Sequence, residues 1–414
     1  MRSIELNRRD FFASLAVGLL STAGLPSRSS GHDGPHGVNV GGLNVKPFGN
    51  DKRFGFHIPQ ADPSRPITGQ GRMAFQLVQE LGAPADLEPD TLKAAHGTVM
   101  ALPEGGIVWG LGNYGLIRYS MNAPGQWGDP VRLAPKFPDG SFNLHGGEIS
   151  LFDGPNTIFA IADDVGGRVF VGDLERDRVT VIPKPSDFKG TWKPTDVAFF
   201  STDLGAERRR GPQFIAITNG YGNPPCVYIY NRYSESYTRS FDVSVNGKSE
   251  TAHGITTTWR GGQVNLSQRA AGLIEVRSLA EPLGEVVQVI NIGSGVLPCD
   301  STWVEIPGAA PGENEYFECV PLLRGPNNSS GAVAIVGQDG KVRSLVNPTH
   351  LVNPTHLEGS NPTTAHVHDA CMFLAQGSQG ELELFMVLTS WNPGDRLQVL
   401  RMVNGDGHPN FKKV

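Results

Sequence analysis

At 414 residues, with 52 glycines and 31 prolines scattered between short apolar runs, the chain fits one large all-β domain better than two domains rich in helix. No long amphipathic helical pattern and no long low-complexity segment interrupts this punctuation. A formal charge of −6 without a clustered basic face excludes an ordinary nucleic-acid footprint.

Residues 1–26 read as a targeting segment and stand outside the fold. Asn7-Arg8-Arg9-Asp10-Phe11-Phe12, the apolar run Ala13 to Leu20 and the small residues Ser21 to Gly24 resemble a twin-arginine export signal. The resemblance implies the twin-arginine translocase as a partner, a periplasmic location, and export of a chain already folded around any cofactor. The apolar run is too short to span a bilayer, so no stable membrane insertion is expected.

Residues 27–92 form a Gly- and Pro-rich lead-in. His32 and His36 lie near its start, as a flexible tail or a transient metal holder. Within it Met73 to Leu81 is apolar enough for a strand or a short helix.

From residue 93 to 414 a polar anchor in front of a strand recurs at a spacing of roughly 50 residues, the signature of a radial or linear array. The anchors are His96, His145, Asp196, His253, Asp300 and His368. In the first copy His96 to Leu102, Ile107 to Leu111 and Leu116 to Tyr119 read as strands, separated by Pro103-Glu104-Gly105-Gly106 and Gly112-Asn113-Tyr114-Gly115. Three strands and a looser fourth make one blade, so six anchors predict a six-bladed β-propeller. The last copy leaves only Phe411 to Val414 for its outer strand, and the segment near Met73 to Leu81 is therefore expected to complete that blade. Such closure removes exposed sheet edges.

Innermost strands of a propeller begin beside its axis, so anchors at this position converge there. Imidazoles at that point suit Zn, Fe, Mn or Cu rather than calcium. The expected ligands are His96, His145, His253 and His368. His366 projects to the same side as His368 if the stretch is extended, as a fifth ligand, a group that orients a ligand, or a base. Asp196 and Asp300 either orient imidazoles, act as a base, or cap turns. Loops between second and third strands should line the mouth with Asn113-Tyr114, Asp163-Asp164, Asn219-Gly220-Tyr221, Gln268-Arg269 and Trp391-Asn392. Among these Tyr221 and Arg269 are candidates for proton transfer and substrate orientation, while Asp163-Asp164 is a candidate for a second, structural calcium. Glu148 is placed to support or join the ligand set.

Cys226, Cys299, Cys319 and Cys371 are either buried thiols or up to two disulfides, with Cys299–Cys319 the first pair to test. Leu345 to His350 is repeated perfectly as Leu351 to His356. Six residues are too few for a blade, and the repeat reads as a duplicated loop whose histidines lie outside the site.

The stretches Ala252-His253-Gly254-Ile255-Thr256 and Ala95-His96-Gly97-Thr98 resemble blade starts of six-bladed propellers of the NHL and streptogramin-lyase type, a likeness of pattern running from about residue 94 to 403. Among those propellers, lyases of hydroxyglycine derivatives and of cyclic depsipeptides hold a divalent metal on histidines from different blades. Carotenoid-cleaving oxygenases are similar in placing four histidines on iron, but in seven blades. The resemblance implies a metal-dependent lyase or hydrolase acting on a small polar organic substrate. A four-histidine iron oxygenase, a metal carrier without catalysis, and an interaction scaffold are the alternatives.

Overall fold

The computed structural model describes residues 56–70, 73–87, 97–138, 140–150, 157–201, 211–243, 251–307, 314–325, 330–348, 366–377, 380–390 and 396–409, with the backbone of 38–40, 43–45, 244–245 and 248–249. The export-like segment, His32, His36, His96, His350, His356 and Trp391-Asn392 lie outside the described residues.

The described chain forms a six-bladed β-propeller, each blade an antiparallel sheet of four or five strands. Blade 1 runs Gly97–Ala101, Ile107–Leu111, Gly115–Tyr119 and Val131–Arg132; blade 2 runs Leu144–Ile149, Ile158–Asp163, Arg168–Asp173 and Val179–Ile182. Blade 3 follows with Asp196–Phe200, Phe214–Thr218, Cys226–Asn231 and Ser236–Asp242, and blade 4 with Ala252–Thr257, Gln263–Gln268, Leu273–Ser278 and Val286–Asn291. In blade 5 the long strand Glu315–Arg324 pairs with Thr302–Ile306, with Ala332–Gly337 and, at its far end, with Leu297–Pro298, before Val342–Val346 completes the sheet.

Blade 6 closes the ring as the sequence predicts. Its three inner strands, Val367–Gln376, Leu382–Ser390 and Arg396–Val403, come from the chain's end, and Met73–Gly82 adds the fourth in antiparallel register from Arg396↔Gly82 to Val403↔Ala74. The lead-in goes one strand further, because Ile67–Gln70 folds back on Met73–Gly82.

Alternating strand positions point to opposite faces of each blade, so every blade buries two apolar surfaces. Six apolar clusters fill the six gaps: Val108 and Phe159 belong to the first, Val169 and Ile217 to the second, Ile229 and Leu266 to the third. Ile274 with Val320, Ile335 with Met386, and Trp109 with Val387 fill the rest.

Between inner strands every gap also carries a polar bridge. Thr98 Oγ1 donates to the Gly147 carbonyl at 3.4 Å, and Glu148 accepts the Phe199 N–H at 2.5 Å. Asp196 accepts the Ile255 N–H at 2.8 Å, and His253 bonds the Cys299 carbonyl at 2.7 Å. Thr302 Oγ1 donates to the Ala370 carbonyl at 3.0 Å, and Asp369 accepts the Val99 N–H at 2.7 Å. Glu148 thus staples blade 2 to blade 3.

All four cysteines are free and buried. Cys319 lies opposite Thr302, while the Cys299 N–H bonds the Pro321 carbonyl, so the two thiols are out of cross-strand register.

If residues 73–82 are structural, Phe75, fully buried in the blade 5–6 core, should behave as an ordinary core residue. Phe75→Ala is expected to lower unfolding free energy by about 3–5 kcal/mol in urea titration; an unchanged midpoint would show that the lead-in does not close the ring.

Candidate metal centre

The inner strands of blades 2, 4 and 6 each contain a bulge, with register breaking between Leu144 and Gly147, Ala252 and Gly254, and Val367 and Asp369. A bulge inserts an unpaired residue and re-aims its side chain. His145, His253 and His368 sit at these breaks. All three are buried, and their ring centroids lie 4.8, 4.8 and 5.4 Å apart in edge-on contact. One ligand nitrogen from each lies within 4.8 Å of the others.

Neighbouring blades fix the orientation of two of these rings. His145 Nδ1 lies 2.7 Å from the Thr195 carbonyl, and His253 Nδ1 lies 2.7 Å from that of Cys299. A carbonyl can only accept, so both Nδ1 atoms carry the proton and both Nε2 atoms present lone pairs. Burial, Arg269 and the other two imidazoles hold His253 well below the usual histidine range, so it is neutral at physiological pH. Neutral imidazoles steered by backbone carbonyls are the form in which histidine binds a metal, and two of them beside the buried His368 make a donor set suited to a borderline divalent ion. The cluster can hold a metal.

The glycine after histidine has its own reason. At Gly254 a Cβ would lie 2.5 Å from both the Cys299 carbonyl oxygen and Asp300 Cα; at Gly146 it would meet the Thr195 carbonyl at 2.5 Å and collide with Asp196 Oδ1. The next blade packs against the bare Cα and receives the imidazole N–H on the same carbonyl.

One residue deeper lie three buried carboxyl groups, Asp196, Asp300 and Asp369. Asp300 stands within hydrogen-bond reach of both others. Burial pushes all three above the ordinary aspartate range, and their mutual repulsion raises Asp300 furthest. With the histidines they line one small axial cavity, together with Gly146, Thr195 and Cys299.

At the mouth, the loops between second and third strands of blades 3 and 4 deliver Tyr221 and Arg269. Asn219 pins the first loop by accepting the Lys193 N–H at 2.7 Å and donating to the Thr191 and Pro224 carbonyls. Tyr221 Oη lies 3.0 Å from His253 Nε2 and 3.4 Å from His145 Nε2, and it accepts from Arg269 at 3.1 Å. The guanidinium carbon also lies 5.1 Å from the centre of the tyrosine ring. Burial raises the Tyr221 phenol and the neighbouring guanidinium opposes that rise.

The expected site residues are therefore brought together in part. His145, His253, His368, Tyr221 and Arg269 converge. His366 is half-buried with Arg324 acting on it, away from the cluster, because the bulge at His368 breaks the alternation that would have put both rings on one side. Asp196 and Asp300 join the axial carboxyl layer; the orienting groups are the backbone carbonyls of Thr195 and Cys299, one residue before them. Glu148 serves Phe199 instead of a metal. Asp163, proposed for calcium, is occupied otherwise: it accepts the Asn143 and Gly166 N–H groups and pairs with Arg168, each at 2.9 Å. Tyr114 bonds Asp86 at 3.1 Å, and Gln268 bonds Glu275 at 2.9 Å. Asp369 escaped the sequence reading, although it follows an anchor histidine directly.

No family model matches the sequence, and no curated protein matches it. Among solved structures, Sqt1 of Saccharomyces cerevisiae is similar over 72% of this chain and 69% of its own, at 10% identity and a TM-score of 0.42. The WD40 domain of Toxoplasma gondii coronin is similar over 86% of this chain and 91% of its own, at 10% identity and a TM-score of 0.45.

The close approach of blade 5 to Gly254 predicts that Gly254→Ala costs at least about 2 kcal/mol, since backbone atoms cannot yield as a side chain would. Gly82→Ala, with open space at its Cβ, should be nearly neutral. Thermal melts of the two variants check this pair.

Proposed function

We propose that His145, His253 and His368 bind one divalent transition metal, Zn, Fe, Mn or Cu, and that the protein is a metal-dependent lyase or hydrolase of a small polar organic substrate. The observation that carries this reading is the pair of Nδ1–H bonds to carbonyls, which leaves two Nε2 atoms unprotonated in a buried three-histidine cluster. A bound metal supplies Lewis-acid polarisation of a substrate oxygen.

The chain's own groups support catalysis over storage. Tyr221 Oη, within 3.4 Å of two imidazole nitrogens, is placed to exchange a proton with a molecule entering from the mouth. Arg269 has no carboxylate partner among the described residues, so its charge is available to a substrate carbonyl or carboxylate. A carrier needs neither group.

Arg8-Arg9 and the apolar run after them support export to the periplasm by the twin-arginine route. Replacing both arginines by lysine is expected to leave the chain in the cytoplasm on cell fractionation; unchanged export would remove this support.

Protein purified without added metal should carry about one transition-metal ion per chain by elemental analysis. His145→Ala, His253→Ala and His368→Ala should each lose most of it, while His350→Ala in the duplicated loop should keep it. Absence of metal, together with no thermal stabilisation by added Zn²⁺, Fe²⁺, Mn²⁺ or Cu²⁺, would sink the proposal.

A further inference from the structure

The gap between blades 4 and 5 differs from the others near the axis, where side chains that would ordinarily be aliphatic are polar. Thr256, Asn265 and Ser267 occupy alternate positions on the two inner strands of blade 4, with Thr258 just past the end of the first; Glu318 lies on the facing strand of blade 5, with Ser301 just before the strand Thr302–Ile306. All six are buried. Three contacts fix the facing: Gly254 abuts Asp300, Asn265 Nδ2 donates to Glu318, and Trp259 stacks on Tyr316 at 4.3 Å.

These groups form a seam with two distinct ends. At one end Ser301 follows Asp300 of the axial layer, and Ser267 pairs with Gly254 beside His253. At the other, the stacked Trp259 and Tyr316 close it below Thr258. Along it five buried atoms lack a hydrogen-bond partner: Thr258 Oγ1, Asn265 Oδ1, Ser267 Oγ, Ser301 Oγ and Glu318 Oε2.

An orphaned buried polar atom costs about 1–3 kcal/mol, so five in one seam are not compatible with a dry interface. Replacing them by aliphatic side chains would be easy, as the neighbouring cluster around Ile274 and Val320 shows. All five atoms can accept a hydrogen bond, and the three hydroxyls can also donate. A buried water makes about three hydrogen bonds, so about two waters would satisfy the set.

Glu318 is the ionisable member. Burial pushes its carboxyl up to about 7, opposed only by the bond from Asn265. No cationic side chain pairs with it among the described residues.

We propose that the seam between blades 4 and 5 is a binding site for a short file of buried waters, held by Thr258, Asn265, Ser267, Ser301 and Glu318, through which Glu318 exchanges protons with the axial cavity. Each hop breaks one O–H bond and forms another, between carboxyl and water or between two waters. Glu318 thereby serves the axial cavity as a buried proton reservoir that a molecule seated over Tyr221 and Arg269 does not displace. The site does not depend on metal binding.

Two measurements on the full-length protein test it. A crystal structure resolving ordered solvent should show waters within hydrogen-bond distance of Asn265 Oδ1, Ser267 Oγ and Glu318 Oε2. A dry seam, side chains paired directly with one another, or a coordinated cation would overturn the proposal. In mildly acidic buffer the infrared spectrum should contain a buried protonated-carboxyl band that is lost in Glu318→Gln and shifts promptly on transfer to heavy water. Asn265→Leu, which fills the file, should abolish the prompt shift; should that variant not fold, Ser267→Val serves the same purpose. A wild-type band that exchanges only on unfolding, or prompt exchange that persists in the filled variant, would refute the file.

Discussion

The structure depends on side chain-to-backbone hydrogen bonds between the inner strands of neighbouring blades. Backbone pairing holds each sheet together but cannot join one blade to the next, and apolar packing between blades has no direction. The bridges from Thr98, Glu148, Asp196, His253, Thr302 and Asp369 supply direction, one at each of the six gaps. Each lies where the strands crowd the axis and water is excluded, so a missing partner would leave a buried donor or acceptor unsatisfied. The axial residues therefore set the ring's geometry before they do any chemistry.

Site and scaffold thus share atoms. The His253 N–H that fixes blade 4 to blade 5 also fixes the tautomer that leaves Nε2 unprotonated. The same holds for His145 and blade 3. Preorganisation of this kind lowers the conformational cost of assembling the imidazole set, because these two rings are held by the fold whether or not an ion is bound.

Much of this was legible in the sequence, for identifiable reasons. Recurrence of His145, His253 and His368 before apolar runs located the inner strands, and the shortage of chain after Met402 pointed to the segment near Met73 to Leu81 as the closing strand. Hidden features turned on local geometry. Strict alternation assigned His366 and His368 to one side, but a bulge, which sequence periodicity does not reveal, separates them. One anchor per blade was a natural assumption, so Asp369 was overlooked behind His368. Asp163 looked like a cation ligand in a mouth loop; only its three hydrogen-bond partners show that it organises the turn.

Charge explains why Tyr221 and Arg269 stand on the mouth side. Beneath the imidazoles three buried carboxyl groups cannot all ionise, and Asp300, flanked by the other two, keeps its proton most firmly. The layer therefore carries less negative charge than three aspartates suggest, while a cation on the histidines would draw its protons off. A positive guanidinium on the opposite side opposes that cation unless a negative group lies between them. The Tyr221 oxygen already occupies that position, 3.1 Å from Arg269 and 3.0 Å from His253. Under the function proposed above, this is the point at which a substrate oxygen would be stabilised from both sides, and the phenol is the group such an oxygen would displace or exchange a proton with.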